Sequence, residues 1–372
     1  MIVCLKSERD FDDMNLSVCI ITKNECENLK KCLQALKPYD LEIVVVDTGS
    51  TDGTLKMVRE YTDAVFEFSW CDDFAKAKNF AISKAKNDRV LVLDSDEYVT
   101  AFDVSGLEQQ LIWYPEWIGR IKRCNQIKYG AETRIGTEYI NRLFDRRLFH
   151  YKGRVHEQLV WISGAYAGTG EGICTYETGI CIDHSGYLLS GDQKNEKIKR
   201  NIVLLQQMLR EQGDDPYILY QLGKSYYMGA QYVDACAYFE KALTFDLDEH
   251  LEYVIDMVET YGYALLNAGR AADALGYEGL CDAFGKTSDF RFLMGLIYMN
   301  NELFSQAVES FMRAVELGNA KMMGTDSYLA YYNAGVIMEC LDHTSEAMEF
   351  YGKAGGYAQA EARLDCLRRG IR

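Results

Sequence analysis

The sequence predicts an α/β N-terminal domain of the doubly wound, Rossmann-like kind, followed by an all-α domain of helical repeats. Three observations carry this expectation. Over the first hundred residues, short apolar runs rich in β-branched side chains alternate with helical patterns. Beyond Arg200 the patterning is helical only, and from Gly223 onward glycines recur with small and aromatic residues at fixed offsets. A chain of 372 residues with 48% hydrophobic content can bury two cores. The boundary is placed at 200/201, giving domains 1–200 and 201–372.

In chain order, Leu16 to Thr22 is the first strand and Leu41 to Val46 the second, each followed by polar turn residues and a helical pattern. After a helical stretch from Asp73 to Lys86 comes Arg89-Val-Leu-Val-Leu93 as the third strand. In open α/β sheets of this kind, ligands bind beyond the carboxyl ends of the strands.

In the second half, Leu222-Gly223 is followed by Tyr226, Ala235, Phe239 and Ala242, the tetratricopeptide spacing. Gly295, Tyr298, Ala307, Phe311 and Ala314 form a second copy, and Gly335, Met338, Ala347, Tyr351 and Ala354 a third. Between the first two lies a weaker copy around Gly262, Leu265 and Ala274, with Glu278 in the aromatic slot. Small residues let paired helices approach, and the aromatic fills the gap they leave. This pattern speaks for architecture and says nothing about chemistry.

Charge and composition exclude several classes. Net charge is −16, and residues 214–372 carry −12 of it, 24 acidic against 12 basic side chains, which argues against nucleic acid as a partner there. The twelve cysteines are scattered without a C-x-x-C pair, so they read as free thiols of a reducing cytoplasm. The opening MIVCLKSERDFDDM does not have the form of a secretory signal, and no run approaches eighteen apolar residues, so no transmembrane segment is expected.

The chemistry is expected at Asp94-Ser95-Asp96-Glu97, three acids in four positions directly after an apolar strand. Acids repel one another, whereas hard divalent cations take carboxylate oxygens and can neutralise a diphosphate leaving group. The first strand ends in Thr22-Lys23-Asn24-Glu25, and the second in Asp47-Thr48-Gly49-Ser50-Thr51-Asp52-Gly53-Thr54, a turn able to present acceptors to a base or ribose. Later, Arg154-Val155-His156-Glu157 and Asp183-His184-Ser185-Gly186-Tyr187 stand out in a chain with five histidines. Other chemistries fail on spacing. There is no G-x-x-x-x-G-K-[ST]; His156-Glu157 lacks the second histidine of a zincin; and Gly168 to Gly172 is misspaced for a dinucleotide fingerprint.

The stretches SVCIITKNECENLKKCL, EIVVVDTGSTDGT, WCDDFAKAKNFAI and VLVLDSDEY together resemble the family 2 glycosyltransferases over about the first hundred residues. The V-H-E and H-x-G-Y pair, followed by helical repeats, resembles the sublancin-type peptide S-glycosyltransferase subgroup of that family. The resemblance implies a GT-A fold, a nucleoside diphosphate sugar as donor, Mn or Mg as cofactor, and inversion at the anomeric carbon. It also implies site roles. Thr22, Asn24 and Glu25 line the nucleotide pocket, Asp47 contacts the base, Asp94 sits near ribose and metal, and Asp96 binds the metal. His184 completes the metal shell, and Glu157 is the general base with His156 beside it. Relatives commonly carry Arg-Asn where this chain has Lys78-Asn79; Lys78 keeps the positive charge for a phosphate but loses the bidentate fork.

The function expected is transfer of a hexose from a nucleotide sugar, a UDP-sugar in the first place, to a peptide or protein side chain. A cell-surface or lipopolysaccharide-type glycan is the alternative acceptor. A non-catalytic helical-repeat scaffold is the alternative of another class, and the helical repeats are expected to offer a surface for homodimerisation.

Overall fold

The computed structural model describes residues 15–129, 132–162, 172–184 and 191–370. Cys4, Ser185, Gly186, Tyr187 and the part of the glycine-rich stretch from Gly168 to Glu171 lie outside the described residues. The chain divides into two compact units, Met1–Thr133 with Thr137–Leu189, and Arg134–Gly136 with Ser190–Arg372. The division falls ahead of the expected 200/201 boundary because a helix already begins at Gly191. Its first described turns bury only Ile198, so the apolar period that marks a helix is thin there.

The first unit runs β1 (Leu16–Thr22), α1 (Cys26–Leu36), β2 (Glu42–Asp47), α2 (Thr54–Val58), β3 (Val65–Glu67), α3 (Phe74–Ser83), β4 (Arg89–Asp94), β5 (Glu97–Phe102), α4 (Val104–Trp113), β6 (Ile118–Tyr129), β7 (Glu132–Asp145), β8 (Phe149–Lys152), β9 (Gln158–Trp161) and β10 (Thr175–His184). Eight strands form one mixed sheet in the order β3-β2-β1-β4-β7-β6-β10-β5, and β8 pairs with β9 as a separate hairpin. The parallel half, β3-β2-β1-β4, is the doubly wound part.

Strands β1, β2 and β4 read as nearly continuous apolar runs because both of their faces are covered. Alternate side chains go to opposite faces. Leu16, Val18, Ile20, Val45, Leu91 and Leu93 pack with Leu29, Leu33 and Leu36 of α1 on one side. Cys19, Val44, Val46, Val90 and Val92 pack with Ala75, Ala81 and Ile82 of α3 on the other. Helix α3 starts where Asp73 caps the Lys76 amide, satisfying one of the unpaired donors of the first turn.

The second unit contains α5 (Gly191–Gln212), α6 (Pro216–Met228), α7 (Tyr232–Ala242), α8 (Glu252–Asn267), α9 (Ala271–Ala274), a 3₁₀ segment (Leu275–Leu280), α10 (Cys281–Phe284), α11 (Ser288–Asn300), α12 (Phe304–Leu317), α13 (Tyr328–Cys340), α14 (Thr344–Lys353) and α15 (Ala358–Arg368). The glycine slots are close-approach points. A Cβ on Gly223, Gly295 or Gly335 would lie 2.5 to 2.7 Å from the ring of Phe239, Phe311 or Tyr351 respectively. Each helix pair turns through a left-handed residue seven positions after its glycine: Ala230, Gly269, Glu302 and Asp342.

That shared turn places the weak copy among the repeats, and its aromatic slot is filled after all. Tyr277, one position ahead of Glu278, is buried against Gly262 and donates its hydroxyl to the Val258 carbonyl at 2.6 Å. The second helix of this repeat is broken into α9, the 3₁₀ segment and α10, and the tighter 3₁₀ winding shifts the register by one residue.

Within this unit, burial and then the nearby carboxylates of Asp289 and Asp256 push Glu259 up to about 8. A raised folded pKa means that the native state holds the proton more tightly than the unfolded chain. No penalty exists below the ordinary glutamate value near 4.5, and it grows as pH rises from there through about 8. Glu259→Gln is therefore expected to raise the melting temperature at pH 8.5 and to leave it nearly unchanged at pH 5. Thermal melts at the two pH values check this, and an equal shift at both would refute it.

Candidate active site

Parallel register brings the predicted residues to one edge. Thr22 pairs with Asp47 and Ile21 with Asp94, so β1, β2 and β4 deliver their last side chains together at their carboxyl ends. Asp47 is 2% exposed; its Oδ2 accepts the amides of Gly49 at 3.0 Å and Ser50 at 2.9 Å. Its Oδ1 and the Thr22 hydroxyl are buried without a hydrogen-bond partner among the described residues. Buried polar atoms are seldom left unpaired, so two at adjacent strand ends mark a place for a polar ligand.

Asn24 takes the left-handed conformation, with φ at 54°. Its amide donates to Ser50 Oγ at 2.8 Å and its Oδ1 accepts the Thr51 amide at 2.7 Å, tying the two strand-end loops together. Glu25 accepts from Asn28 at 2.7 Å, and Asn28 accepts from the Tyr98 hydroxyl at 2.9 Å. These two residues therefore brace the loops around the buried pair.

The acidic turn divides its labour. Glu97 is fully buried, and its Oε2 accepts the Asp94 amide at 3.0 Å, which closes the turn. Asp94 receives Arg142 Nη2 at 2.7 Å on one oxygen and Lys78 Nζ at 2.9 Å on the other. Burial would raise its pKa, but the Arg142 guanidinium and the Lys78 ammonium outweigh burial and hold the carboxyl well below its ordinary value. Burial likewise works against the charge on Lys78, and Asp94 with Glu157 more than offsets it, pushing Lys78 above the usual lysine value.

Lys78 thus differs in setting from the phosphate contact expected of it. It is 3% exposed and its Nζ is held between Asp94 and Glu157 Oε1, the latter at 2.5 Å. Its neighbour Asn79 clamps β8, donating to the Tyr151 carbonyl at 2.8 Å and accepting the Tyr151 amide at 2.9 Å. The Lys78-Asn79 pair therefore fastens the segment before Glu157 to the acidic turn. His156 carries φ of 51°, a left-handed conformation that costs a non-glycine residue roughly 1–2 kcal/mol, and local strain of this sort gathers at functional sites.

At the far side of the turn, Asp96 Oδ2 lies 3.4 Å from His184 Nε2, and His184 Nδ1 lies 2.8 Å from Asn125 Oδ1. Two ligands each about 2.1 Å from one hard cation stand about 3 Å apart at a right angle and farther apart at wider angles. The pair fits that spacing. Among the described residues no group of three or more His, Cys, Asp or Glu side chains gathers as a cage, so the protein offers a carboxylate and an imidazole. The carboxylate of the pair is the kind of donor that hard cations such as Mg and Mn take, along with phosphate and water.

Sequence reasoning passed over Arg142, Arg123, Asn125 and the burial of Glu97. Arg142 Nη2 also reaches Glu97 at 3.2 Å, and Arg123 joins Glu97 at 3.1 Å to Glu138 at 2.9 Å. Glu138, a second carboxylate in the region, is thereby engaged by Arg123. The one available signal was Arg142 itself, a basic residue directly before the apolar Leu143-Phe144 of a strand.

Comparisons with known proteins bear on the family of the first unit and on the helical repeats. The family described as Glycosyl transferase family 2 matches residues 17–157. The SPbeta prophage-derived glycosyltransferase SunS of Bacillus subtilis is 24% identical over 242 residues, covering 62% of this chain and 54% of SunS. A TPR repeat-containing protein of Synechococcus elongatus is 38% identical over 96 residues, 26% of this chain and 24% of that protein. The lipopolysaccharide core biosynthesis glycosyltransferase LpsC of Rhizobium meliloti is 37% identical over 86 residues, 22% of this chain and 32% of LpsC. The chain thus spans about half or less of the length of these relatives. With strand ends, acidic turn and the segment to Glu157 all inside the matched span, residues 17–157 of this chain are a glycosyl transferase family 2 domain.

Proposed function

We propose that the chain transfers a hexose from a nucleoside diphosphate sugar, a UDP-sugar in the first place, to a peptide or protein side chain by a single displacement that inverts the anomeric carbon. The observation that carries this reading is the facing pair of Asp96 and His184 on the same sheet edge as the unpaired Asp47 Oδ1 and Thr22 hydroxyl. In it, Asp47 Oδ1 accepts from the imide N–H of the base and the Thr22 hydroxyl meets a base carbonyl. Asp96 and His184 hold a divalent Mn or Mg ion. When bound, such an ion supplies the positive charge that offsets the charge growing on a departing diphosphate.

Glu157 takes the proton from the acceptor nucleophile as the new glycosidic bond forms and the bond to the diphosphate breaks. Lys78 links that carboxylate to Asp94 and so fixes its distance from the donor side of the site. Arg142 holds Asp94 and Glu97 together, which keeps the turn from opening under its own charge.

A peptide acceptor is supported by the likeness to SunS and by the acidic helical unit, whose charge suits a basic peptide. The likeness to LpsC supports a surface glycan instead, but it covers only 22% of this chain. The reading places the chain in a reducing cytoplasm, in keeping with described cysteines that are free thiols. Mass spectrometry of reactions with a panel of nucleotide sugars and basic peptides or lipopolysaccharide core oligosaccharides tests the reading. A fixed hexose increment on a peptide is expected. An increment only on the oligosaccharide would move the acceptor to the glycan, and neither transfer nor donor hydrolysis would leave the non-catalytic scaffold.

A further inference from the structure

The register of the distal half of the sheet sets three side chains abreast. His184, the last residue of β10, pairs with Asn125 of β6 on one side and with Glu97 of β5 on the other. His184 and Asn125 are both buried. Asn125 Nδ2 donates to Glu138 Oε1 at 2.5 Å, and an ionised carboxylate only accepts, so the amide has one orientation and its oxygen faces the imidazole. An amide oxygen only accepts as well, and at 2.8 Å from Nδ1 it stands closer than the Asp96 carboxylate does to Nε2, at 3.4 Å, so the proton of a neutral His184 sits on Nδ1. Glu138 is itself fixed by the fork of Arg123, at 3.2 Å from Nε and 2.9 Å from Nη2, and Arg123 is anchored on the buried Glu97.

The consequence falls on the other end of the ring, where a neutral imidazole protonated at Nδ1 carries its lone pair on Nε2, the atom 3.4 Å from Asp96 Oδ2. We propose that Asn125 is a positioning residue: locked in orientation by Glu138, it holds His184 as the Nδ1–H tautomer and so presents Nε2, beside Asp96, as the nitrogen ligand of a divalent cation. This rests on the metal-assisted reading above, although the tautomer itself does not. Partners behind a metal ligand commonly govern metal affinity by about 10 to 100-fold because they set ring orientation and basicity.

The test uses the full chain. With ¹⁵N-labelled histidine, the two-bond proton–nitrogen correlations of metal-free protein at pH 8 are expected to show His184 as the Nδ1–H tautomer, the signal being assigned by its loss in His184→Gln. An Nε2–H tautomer overturns the proposal. Mn²⁺ affinity in the presence of UDP, read from the paramagnetic resonance of free Mn²⁺, is then expected to fall about 10 to 100-fold in Asn125→Leu, with the tautomers mixed. Glu138→Leu, at a half-exposed strand position, is expected to give a smaller fall in the same direction and serves if Asn125→Leu does not fold. Unchanged Mn²⁺ affinity in whichever variant folds, with His184→Gln weakened, overturns the role of Asn125 alone. Wild-type protein that binds no Mn²⁺, or His184→Gln that binds it normally, overturns the metal reading and this inference with it.

Discussion

Alanine in place of Asp96 is expected to lower turnover on the order of 1000-fold while leaving the fold intact. The magnitude follows from the chemistry proposed for the site. Charge stabilisation by a bound divalent ion is worth several kcal/mol in a transition state, and each 1.4 kcal/mol or so is a factor of ten in rate. The intact fold follows from the structure. Asp96 is the acid of the turn that faces His184, whereas the turn itself is closed by Glu97 on the Asp94 amide and pinned by Arg142. Melting temperature should therefore change little while kcat collapses. Chelation of the wild type should reproduce the loss and added Mn²⁺ should reverse it. Chelated wild-type enzyme turning over at full speed would remove the metal from the mechanism. An Asp96→Ala variant that lost stability along with activity would recast the residue as structural.

Asp94, two residues earlier, should behave differently although a sequence reads the two acids alike. Asp94 neutralises both Arg142 and Lys78, and Lys78 is almost wholly buried. Removing Asp94 leaves Lys78 with Glu157 alone and Arg142 with Glu97 alone among these carboxylates, and a buried cation that loses one of its partners costs stability. Part of any activity lost at Asp94 would thus be lost folding.

That contrast shows where the sequence was legible. Strands β1, β2 and β4 announce themselves because both faces are buried, and their polar ends follow from the rule that parallel sheets present ligands at carboxyl edges. The repeats were visible because each glycine must admit a ring of the neighbouring helix. Strand β3 is three residues long and only partly buried, too short for its pattern to register. The distal strands β5, β6, β7 and β10 were not resolved by pattern either. Their inward positions carry Glu97, Arg123, Asn125, Arg142 and His184, and polar groups that satisfy one another across a sheet break the alternation by which strands are recognised. Such a network exists only in three dimensions. Glu278 in the aromatic slot misled for a related reason, since spacing assumes uniform helix winding and the 3₁₀ segment delivers Tyr277 in its place.

Glu157→Gln is expected to lower kcat by roughly 100 to 10,000-fold, the range over which a positioned base contributes, with donor affinity nearly unchanged. Glutamine keeps the shape, and its amide oxygen can still accept from Lys78 Nζ, so the connection from α3 to the segment before β9 survives. What it loses is the ability to take a proton. Because Glu157 also serves as one of two carboxylates around a buried ammonium, the substitution will reduce stability somewhat even if it has no catalytic role, and rate alone does not decide. Three measurements on one variant do: kcat, donor affinity by calorimetry, and the pH dependence of kcat/KM. A base that acts in the transition state predicts a fall in kcat, a normal donor Kd and loss of the acidic limb of the profile. A purely structural Glu157 predicts an unaltered acidic limb whatever the donor Kd, because only a group that takes the proton sets that limb. Normal turnover would exclude the base role outright. The proton would then have to leave by another carboxylate, and Glu138 is a poor replacement because Arg123 and Asn125 already hold it.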